Sequence, residues 1–418
     1  MLNWRKFIVT GALATTLTFS SISALAVSFD DVSSNEASIT KLVSLGVVVN
    51  NGANFNPDKG LTRQEFAEIS SRIMTLSAPK TVKISDVKNN AAVTKAVGAG
   101  ILTVNSKGQF KPKNAITYSD LARGLAYGLG FKKSWSNRPI DHLYFLERKG
   151  VLSIDTDLDA VVTREDAAVA VDNFMTVSDS YTKASGIVDR VTGNVLIVKT
   201  DSGSASYKIN SKASLFMDEQ AASQGNLAKG TDVNFILNKK GEVAYLTGNG
   251  LEVFDGNLGY AGGNLTFNGA AKNFKLNAVV VALPNNAAVP FTYTEFSNYA
   301  SKAGVSFGGT LYSNTATDEI TMLEAYVSKV ANRVFTVSNG KVTYDFADVA
   351  LKAQTFTMSE EATYTLLEGE KGETKTTKTL AELTALQASG KVLKGTLVAG
   401  ADGLGLSLEF TATAPAAK

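Results

Sequence analysis

The sequence predicts a multidomain α plus β protein: an N-terminal three-repeat helical bundle followed by about three small antiparallel β modules, barrel-like or sandwich-like. Three observations predict this. A signature, Thr62-Arg63-Gln64-Glu65, returns in degenerate form as Thr117-Tyr118-Ser119-Asp120, 55 positions on, and as Thr163-Arg164-Glu165-Asp166, a further 46 on. The period of the hydrophobic residues changes from helical to alternating near Ser180. And 418 residues, 44% hydrophobic and 19% charged, are a globular composition longer than the roughly 250–300 residues at which single cores stop growing.

At the N-terminus Arg5 and Lys6 precede an apolar stretch from Phe7 to Phe19, and Ala24-Leu25-Ala26 offers a small-x-small cleavage site. The stretch is short for a membrane span and reads as a secretory signal peptide over residues 1–26. Its removal takes away two of the 41 cations and none of the 39 acids, leaving 39 against 39. A neutral chain argues against a nucleic-acid partner. There is no cysteine, so an exported chain must be held by packing and any bound ions. No later run approaches transmembrane length, and Thr411 to Lys418 carries no hydrophobic tail, so the expected attachment outside the cell is non-covalent.

Repeat one opens at Phe29-Asp30-Asp31-Val32, places Ile39, Leu42 and Leu45 at helical spacing, and ends that helix at Gly46. Phe55-Asn56-Pro57 leads into a second helix that buries Phe66, Ile69 and Ile73. Repeat two reads Ile84-Ser85-Asp86-Val87, Val93, Val97, Gly100-Ile101, Phe110-Lys111-Pro112 and Thr117; Val32 to Thr62 and Val87 to Thr117 are both 30 residues. Repeat three is shorter, with Leu143, Leu146 and Gly150 before Thr163 and no Phe-x-Pro. Helix pairs of this length bury their apolar faces against one another, so several are needed together.

Thr with an acid at the fourth position is a capping box, so Thr62 with Glu65, Thr117 with Asp120 and Thr163 with Asp166 read as three helix starts. Capping does not require the arginines. A cation in the first turn opposes the helix dipole, so an external carboxylate or phosphate is the reading for Arg63 and Arg164, which fit such groups bidentately.

Phe-x-Asp-Val, a helix ending Leu-Gly-Val, Phe-x-Pro and Leu-Thr-Arg-x-Glu together resemble the S-layer homology domain of bacterial surface proteins, over about residues 27 to 178. The resemblance implies three repeats in a pseudo-three-fold bundle that binds secondary cell-wall polysaccharide, often pyruvylated. It implies that Arg63 and Arg164 contact the anionic sugar between repeats, with Asp30 or Asp31 as the repeat-opening acid. Repeat two carries Tyr118 in place of Arg, so its groove is expected to be weak or silent.

Asp155, Asp157 and Asp159, with Asp166 at the twelfth position, mimic the acid spacing of a calcium loop, but Ala160 stands where the turn needs Gly. Calcium is therefore a competing reading, with no cofactor as the main one. His142, the only histidine, is expected at a helix surface or interface. Trp135 and Tyr144 suit either sugar stacking or burial between repeats.

Beyond Ser180, turn signals at Thr192-Gly193-Asn194, Asp201-Ser202-Gly203 and Asn238-Lys239-Lys240-Gly241 separate short apolar runs into hairpins. Glu219 to Gln224 reads as a brief helix. Turns at Gly262-Gly263-Asn264 and Ser338-Asn339-Gly340, helices from Thr294 to Lys302 and Thr379 to Ser389, and final pairs around Ser313 to Asp318 and Ala399 to Gly403 repeat the order. The expected division is a leader over 1–26, repeats over 27–78, 79–133 and 134–178, and β modules over 179–250, 251–327 and 328–418.

The sequence has no nucleophile elbow, no phosphate-cradling loop and no cysteine, which removes most nucleophilic, zinc and nucleotide chemistries. Carboxylate pairs for glycoside hydrolysis stay open, although small β modules leave little room for a sugar cleft, so no enzyme is expected. The expectation is a secreted protein of a Gram-positive-type envelope, anchored to wall polysaccharide, whose β modules form or join a self-assembled surface layer. The alternative is an adhesin or scaffold whose β modules bind a host glycan or protein.

Overall fold

The computed structural model describes residues 29–50, 52–76, 82–261, 264–283, 289–291, 305–345, 353–369 and 374–414, with positions 294, 296 and 372. The expected leader over 1–26, the turn at Gly262-Gly263, and the helix from Thr294 to Lys302 apart from Thr294 and Phe296 lie outside these residues. Six helices come first: α1 (Glu36–Ser44), α2 (Arg63–Ile73), α3 (Ala91–Gly98), α4 (Tyr118–Gly128), α5 (Pro139–Glu147) and α6 (Arg164–Val177). Their periodic apolar residues, among them Ile39, Leu42, Phe66, Ile69, Val93, Leu121, Leu125, Leu146 and Val171, meet in one core. Helices α1, α3 and α5 all stop at a left-handed glycine, Gly46, Gly100 and Gly150, with φ of 70°, 75° and 71°, where a side chain on Cβ would be strained.

The three longer helices start around one point. The Leu61 amide donates to the Val162 carbonyl at 2.9 Å, Val162 to Ile116 at 3.1 Å, and Ile116 back to Leu61 at 2.9 Å, a closed ring of three hydrogen bonds. The next two amides of each helix donate to the loop of another repeat: Arg63 and Gln64 to Asn114 and Pro112, Tyr118 and Ser119 to Ala160 and Leu158, and Arg164 and Glu165 to Lys59 and Pro57. Helix N-termini carry amides without intrahelical partners. Here each start is completed by its neighbour, and the relation closes after three steps.

Strands follow from Thr182. The first set is β1 (Thr182–Thr192), β2 (Val195–Thr200), β3 (Gly203–Met217), β4 (Gln220–Ala222), β5 (Asp232–Leu237) and β6 (Val243–Gly248). Strand β1 pairs with β2 and β5, β2 with β3, and β5 with β6, all antiparallel, while β3 pairs with β6 in parallel, so five strands close a barrel. A closed sheet removes the exposed edges that invite aggregation. The expected helix at Glu219 to Gln224 is corrected: Asp218 and Glu219 both take positive φ and fold β4 back onto β3, as a two-residue hairpin turn requires. Only Gln224–Asn226 is helical, as one 3-10 turn.

The remaining strands form one twelve-stranded sheet: β7 (Leu251–Ala261), β8 (Asn264–Phe267), β9 (Ala270–Ala271), β10 (Phe274–Leu283), β11 (Val289–Phe291), β12 (Val305–Asn314), β13 (Ile320–Ser338), β14 (Lys341–Asp345), β15 (Ala353–Glu368), β16 (Thr374–Lys378), β17 (Val392–Ala399) and β18 (Gly405–Thr413). A helix, α7 (Leu380–Ala388), packs under β13. The pairing of the first barrel returns in full in the second half, from β13 to β18, and in the first half without a counterpart of β2–β3 among the described residues, and the parallel pairs carry the same irregularity. Between Ile209–Val243 and Ser214–Tyr245, between Phe274–Ile320 and Val279–Met322, and between Met358–Gly405 and Thr363–Ser407, one strand advances five residues against two. Such a bulge bends a strand sharply, which is what closing so small a barrel demands. Strand β13 runs through the expected division at 327/328, and a single core joins Leu258 to Phe410.

The parts are joined by buried polar contacts. Asp172 on α6 accepts hydrogen bonds from Ser38, Lys41 and Tyr181, and Ser44 meets Ser214 of the first barrel at 2.6 Å. The Thr321 hydroxyl donates to the Gly230 carbonyl at 2.6 Å, linking the first barrel to the long sheet. Within the helical part, α4 passes close to Phe66: a Cβ on Gly124 would lie 2.7 Å from its ring and 3.0 Å from Ile101. Gly124→Ala is therefore expected to cost about 1–3 kcal/mol through overpacking, read as a lowered melting temperature of the helical far-UV signal in the chain from residue 27; an unchanged melt would show that the two helices have room to part.

Candidate functional site

The grooves between repeats are lined by the second and fourth residues of the signature. Arg63 donates from Nε to the Phe110 carbonyl at 2.7 Å, from one terminal nitrogen to Asp120 at 2.7 Å, and from the other to the Thr103 carbonyl at 2.5 Å. Its guanidinium carbon lies 4.9 Å from the Phe110 ring centroid. Arg164 repeats the arrangement, with Nε to the Phe55 carbonyl at 2.9 Å, a 2.9 Å contact to Glu65, and the Phe55 ring at 4.7 Å. Tyr118 is hydrogen-bonded to Asp166, and burial, then that carboxylate, push its phenol pKa upward. The residue at position two of each repeat thus reaches the acid at position four of the next.

Arg63 and Arg164, expected to contact an external anion, are both largely enclosed, with side chains 13% and 9% exposed, and have partners within the chain. The partners that enclose them lie up to 109 residues away in the chain. Asp31 also has an internal task, since its carboxylate accepts the Phe55 and Asn56 amides, as Asp86 does for Phe110 and Lys111. Burial pushes the Asp31 pKa up, and these amides outweigh it and hold it low. Asp30 is exposed.

Capping follows the sequence at two of the three starts. Thr62 and Glu65 form the full reciprocal box, and Thr163 caps the Asp166 amide. At Thr117 there is no side-chain cap, which corrects that expectation. Asp120 is drawn instead between Arg63 and Arg123, and both ion pairs form. Arg123, which no motif marked, also donates to the Ile101 carbonyl; its only signal in the sequence is the acid–arginine spacing of three on one helix. The groove between the first two repeats therefore holds two guanidinium groups bridged by Asp120, with Asp86 close enough to act on Arg63, whereas Arg164 is paired with Glu65 and acts on Asp31. Their side chains are 13%, 22% and 18% exposed for Arg63, Arg123 and Asp120.

The Asp157 carboxylate accepts the Asp159 amide within its own turn, and among the described residues no group of three acids or histidines could hold a metal ion. His142 is buried in α5, edge-on to Tyr127 and Phe131 at 5.4 and 5.0 Å. Burial, and then Arg123, hold its pKa below the ordinary value. Trp135 and Tyr144 remain 60% and 48% exposed.

Two stretches of this arrangement, residues 28–67 and 83–122, match the family model of the S-layer homology domain. S-layer homology domains generally bind secondary cell-wall polymers, and two such repeats indicate a cell-surface or cell-wall-associated protein. Helices α5 and α6 lie outside both matched stretches and occupy the third place in the hydrogen-bonded ring. No curated protein matches the chain. Among the described residues no helix is long and apolar enough to cross a membrane.

Two outcomes follow from the enclosed side chains. Arg164→Ala leaves the Phe55 carbonyl and Glu65 without their partner and is expected to destabilise the helical part by about 2–3 kcal/mol; a melt equal to wild type would show that the ion pair is dispensable. His142 takes up its proton at lower pH in the fold than in the unfolded chain, whose ordinary value lies near 6.5. The unfolded state then binds more protons, so stability falls as pH drops through that value. With a single histidine in the chain, His142→Phe should flatten the change in melting temperature between about pH 7 and pH 5, and an unaltered slope would assign the dependence elsewhere.

Proposed function

We propose that the repeats hold the chain non-covalently to an acidic, pyruvylated secondary wall polysaccharide, with the groove between the first two repeats as the main contact. One observation carries this: Arg63 and Arg123 converge on the carboxylate of Asp120 at the seam between the first two repeats, with side chains 13% and 22% exposed. A pyruvyl carboxylate fits the planar donors of such a guanidinium pair. Arg164, paired with Glu65, contributes mainly to the fold, and the third groove has Tyr118 in place of the arginine.

In this reading the chain is secreted by a Gram-positive-type cell and performs no catalytic step. The barrels continue from the anchor as a stiff series and form or join a surface layer. Support comes from the buried contacts between consecutive parts, Ser44 with Ser214 and Thr321 with Gly230, and from the continuity of β13.

The test is co-sedimentation with purified sacculi before and after the polysaccharide is stripped. Wild type is expected to pellet only with unstripped walls and less in high salt, as an ionic contact requires. Arg123→Gln, which leaves the Arg63–Asp120 pair in place, is expected to weaken binding about tenfold, equivalent to one charge-assisted contact, with an unchanged far-UV spectrum. Full pelleting of that variant would remove the groove from the contact.

A further inference from the structure

The third repeat departs from the other two in a directed way. Aligned on the glycine that ends each helix, α1 and α3 carry Thr40-Lys41 and Thr94-Lys95 where α5 carries Tyr144-Phe145. The turn before α5 adds Phe131 and Trp135. Phe131 is the hub of the cluster: it meets Trp135, His142 and Phe145 edge-on at 5.4, 5.0 and 5.3 Å. Phe131 and Phe145 are half-buried and His142 is buried, whereas Trp135 and Tyr144 face solvent across a cleft of about 600 Å³.

Packing alone does not explain two aromatic rings left so exposed, because folding gains from burying such surface. Polar groups line the same cleft. Asp141 accepts a hydrogen bond from Ser136 at 2.5 Å, and Arg148 and Lys149 line the same cleft, one cation more than its single carboxylate. Flat aromatic faces, a carboxylate able to accept hydroxyl protons and a surplus cation together fit a pyranose ring: its C–H face lies on an aromatic ring, its hydroxyls reach Asp141 and Ser136, and an acidic substituent reaches Arg148 or Lys149. The size falls within the range of small-ligand clefts.

We propose that this cleft is a second saccharide subsite, in which Trp135 and Tyr144 read the sugar rings of the same acidic polysaccharide that the Arg63–Arg123 groove holds by charge. The proposal rests on the wall-binding reading of the repeats and adds to it a part that is less sensitive to salt, because ring stacking is not screened as an exposed ion pair is. Two subsites on one rigid bundle raise the effective concentration of a polymer at the second once the first is filled.

The chain supplies its own reporter. Of its two tryptophans, Trp4 lies in the expected leader, so in the chain from residue 27 Trp135 is the only one. Polysaccharide released from purified sacculi with hydrofluoric acid is titrated into that chain while its tryptophan emission is followed, at low and at high salt. The expected result is a saturable shift to shorter wavelength, with Trp135→Ala and Tyr144→Ala each weakening binding about fivefold to tenfold and melting as wild type. The weakening should be larger at high salt. If the polysaccharide binds, Arg123→Gln weakens it, and Trp135 emission and Trp135→Ala affinity stay unchanged, the cleft is not a subsite while the groove reading stands. If no polysaccharide binds at all, the anchoring reading fails and the cleft assignment with it. An emission shift produced by raising protein concentration alone would make the cleft a self-association surface and overturn the proposal.

Discussion

The ring of three backbone hydrogen bonds joining Leu61, Ile116 and Val162 is the constraint on which the helical part depends. Each bond is ordinary in length, yet none can be made by one repeat alone. A helix of eleven residues such as α2 or α4 is marginal in water by itself, and its first amides have no partner within it. The ring and the six donations beside it supply those partners only when all three repeats are present. This explains why α5 and α6 hold the third place in the ring although their sequence has drifted from the repeat pattern: main-chain atoms make the closure, and main-chain atoms do not mutate.

Much of this was legible in the sequence, for reasons that lie in local physics. The full capping box at Thr62 and Glu65 formed, as did the helix stops at Gly46, Gly100 and Gly150, because these depend on residues within one turn. The hairpin turn at Asn339-Gly340 did too, with φ of 48° and 75°. What was not legible depends on distant partners. Dipole logic left Arg164 in need of an anion, and its anion is Glu65 of the same chain. At Thr117 the box is missing, and the carboxylate that would complete it, Asp120, is held by Arg63 and Arg123. A fourth box, Thr379 with Glu382, caps α7 far outside the repeats, which shows that Thr-x-x-acid alone marks a helix start and nothing more.

The β half shows the same division between local and non-local signals. Turns and strands were placed by composition, but closure of the barrels rests on the parallel pairs β3–β6, β10–β13 and β15–β18, whose members are far apart in sequence and share no motif. The run of β13 through both halves of the long sheet was hidden because Val327 to Ala331 carries no turn residue and no contrast in composition. A strand without a break transmits load along its own axis, and the junctions on either side of the first barrel are buried hydrogen bonds. At Asp172, burial pushes the carboxyl pKa up, and the hydrogen bonds from Lys41, Ser38 and Tyr181 outweigh it and keep it ionised.

The symmetry of the backbone and the asymmetry of the side chains are two sides of one arrangement. Because the ring is made by amides and carbonyls, position two of the signature is free to be Arg63, Tyr118 or Arg164 without loss of closure. Each choice then changes one groove: two guanidiniums bridged by an acid, a phenol on an acid, or a guanidinium paired with an acid. The side chains that differ among repeats are therefore where recognition can diverge, and those that recur, Asp31 with Phe55 and Asp86 with Phe110, fix the loops from which the neighbouring helix starts. A chain with no disulfide keeps its anchor in shape through that shared framework and leaves the grooves to carry the chemistry.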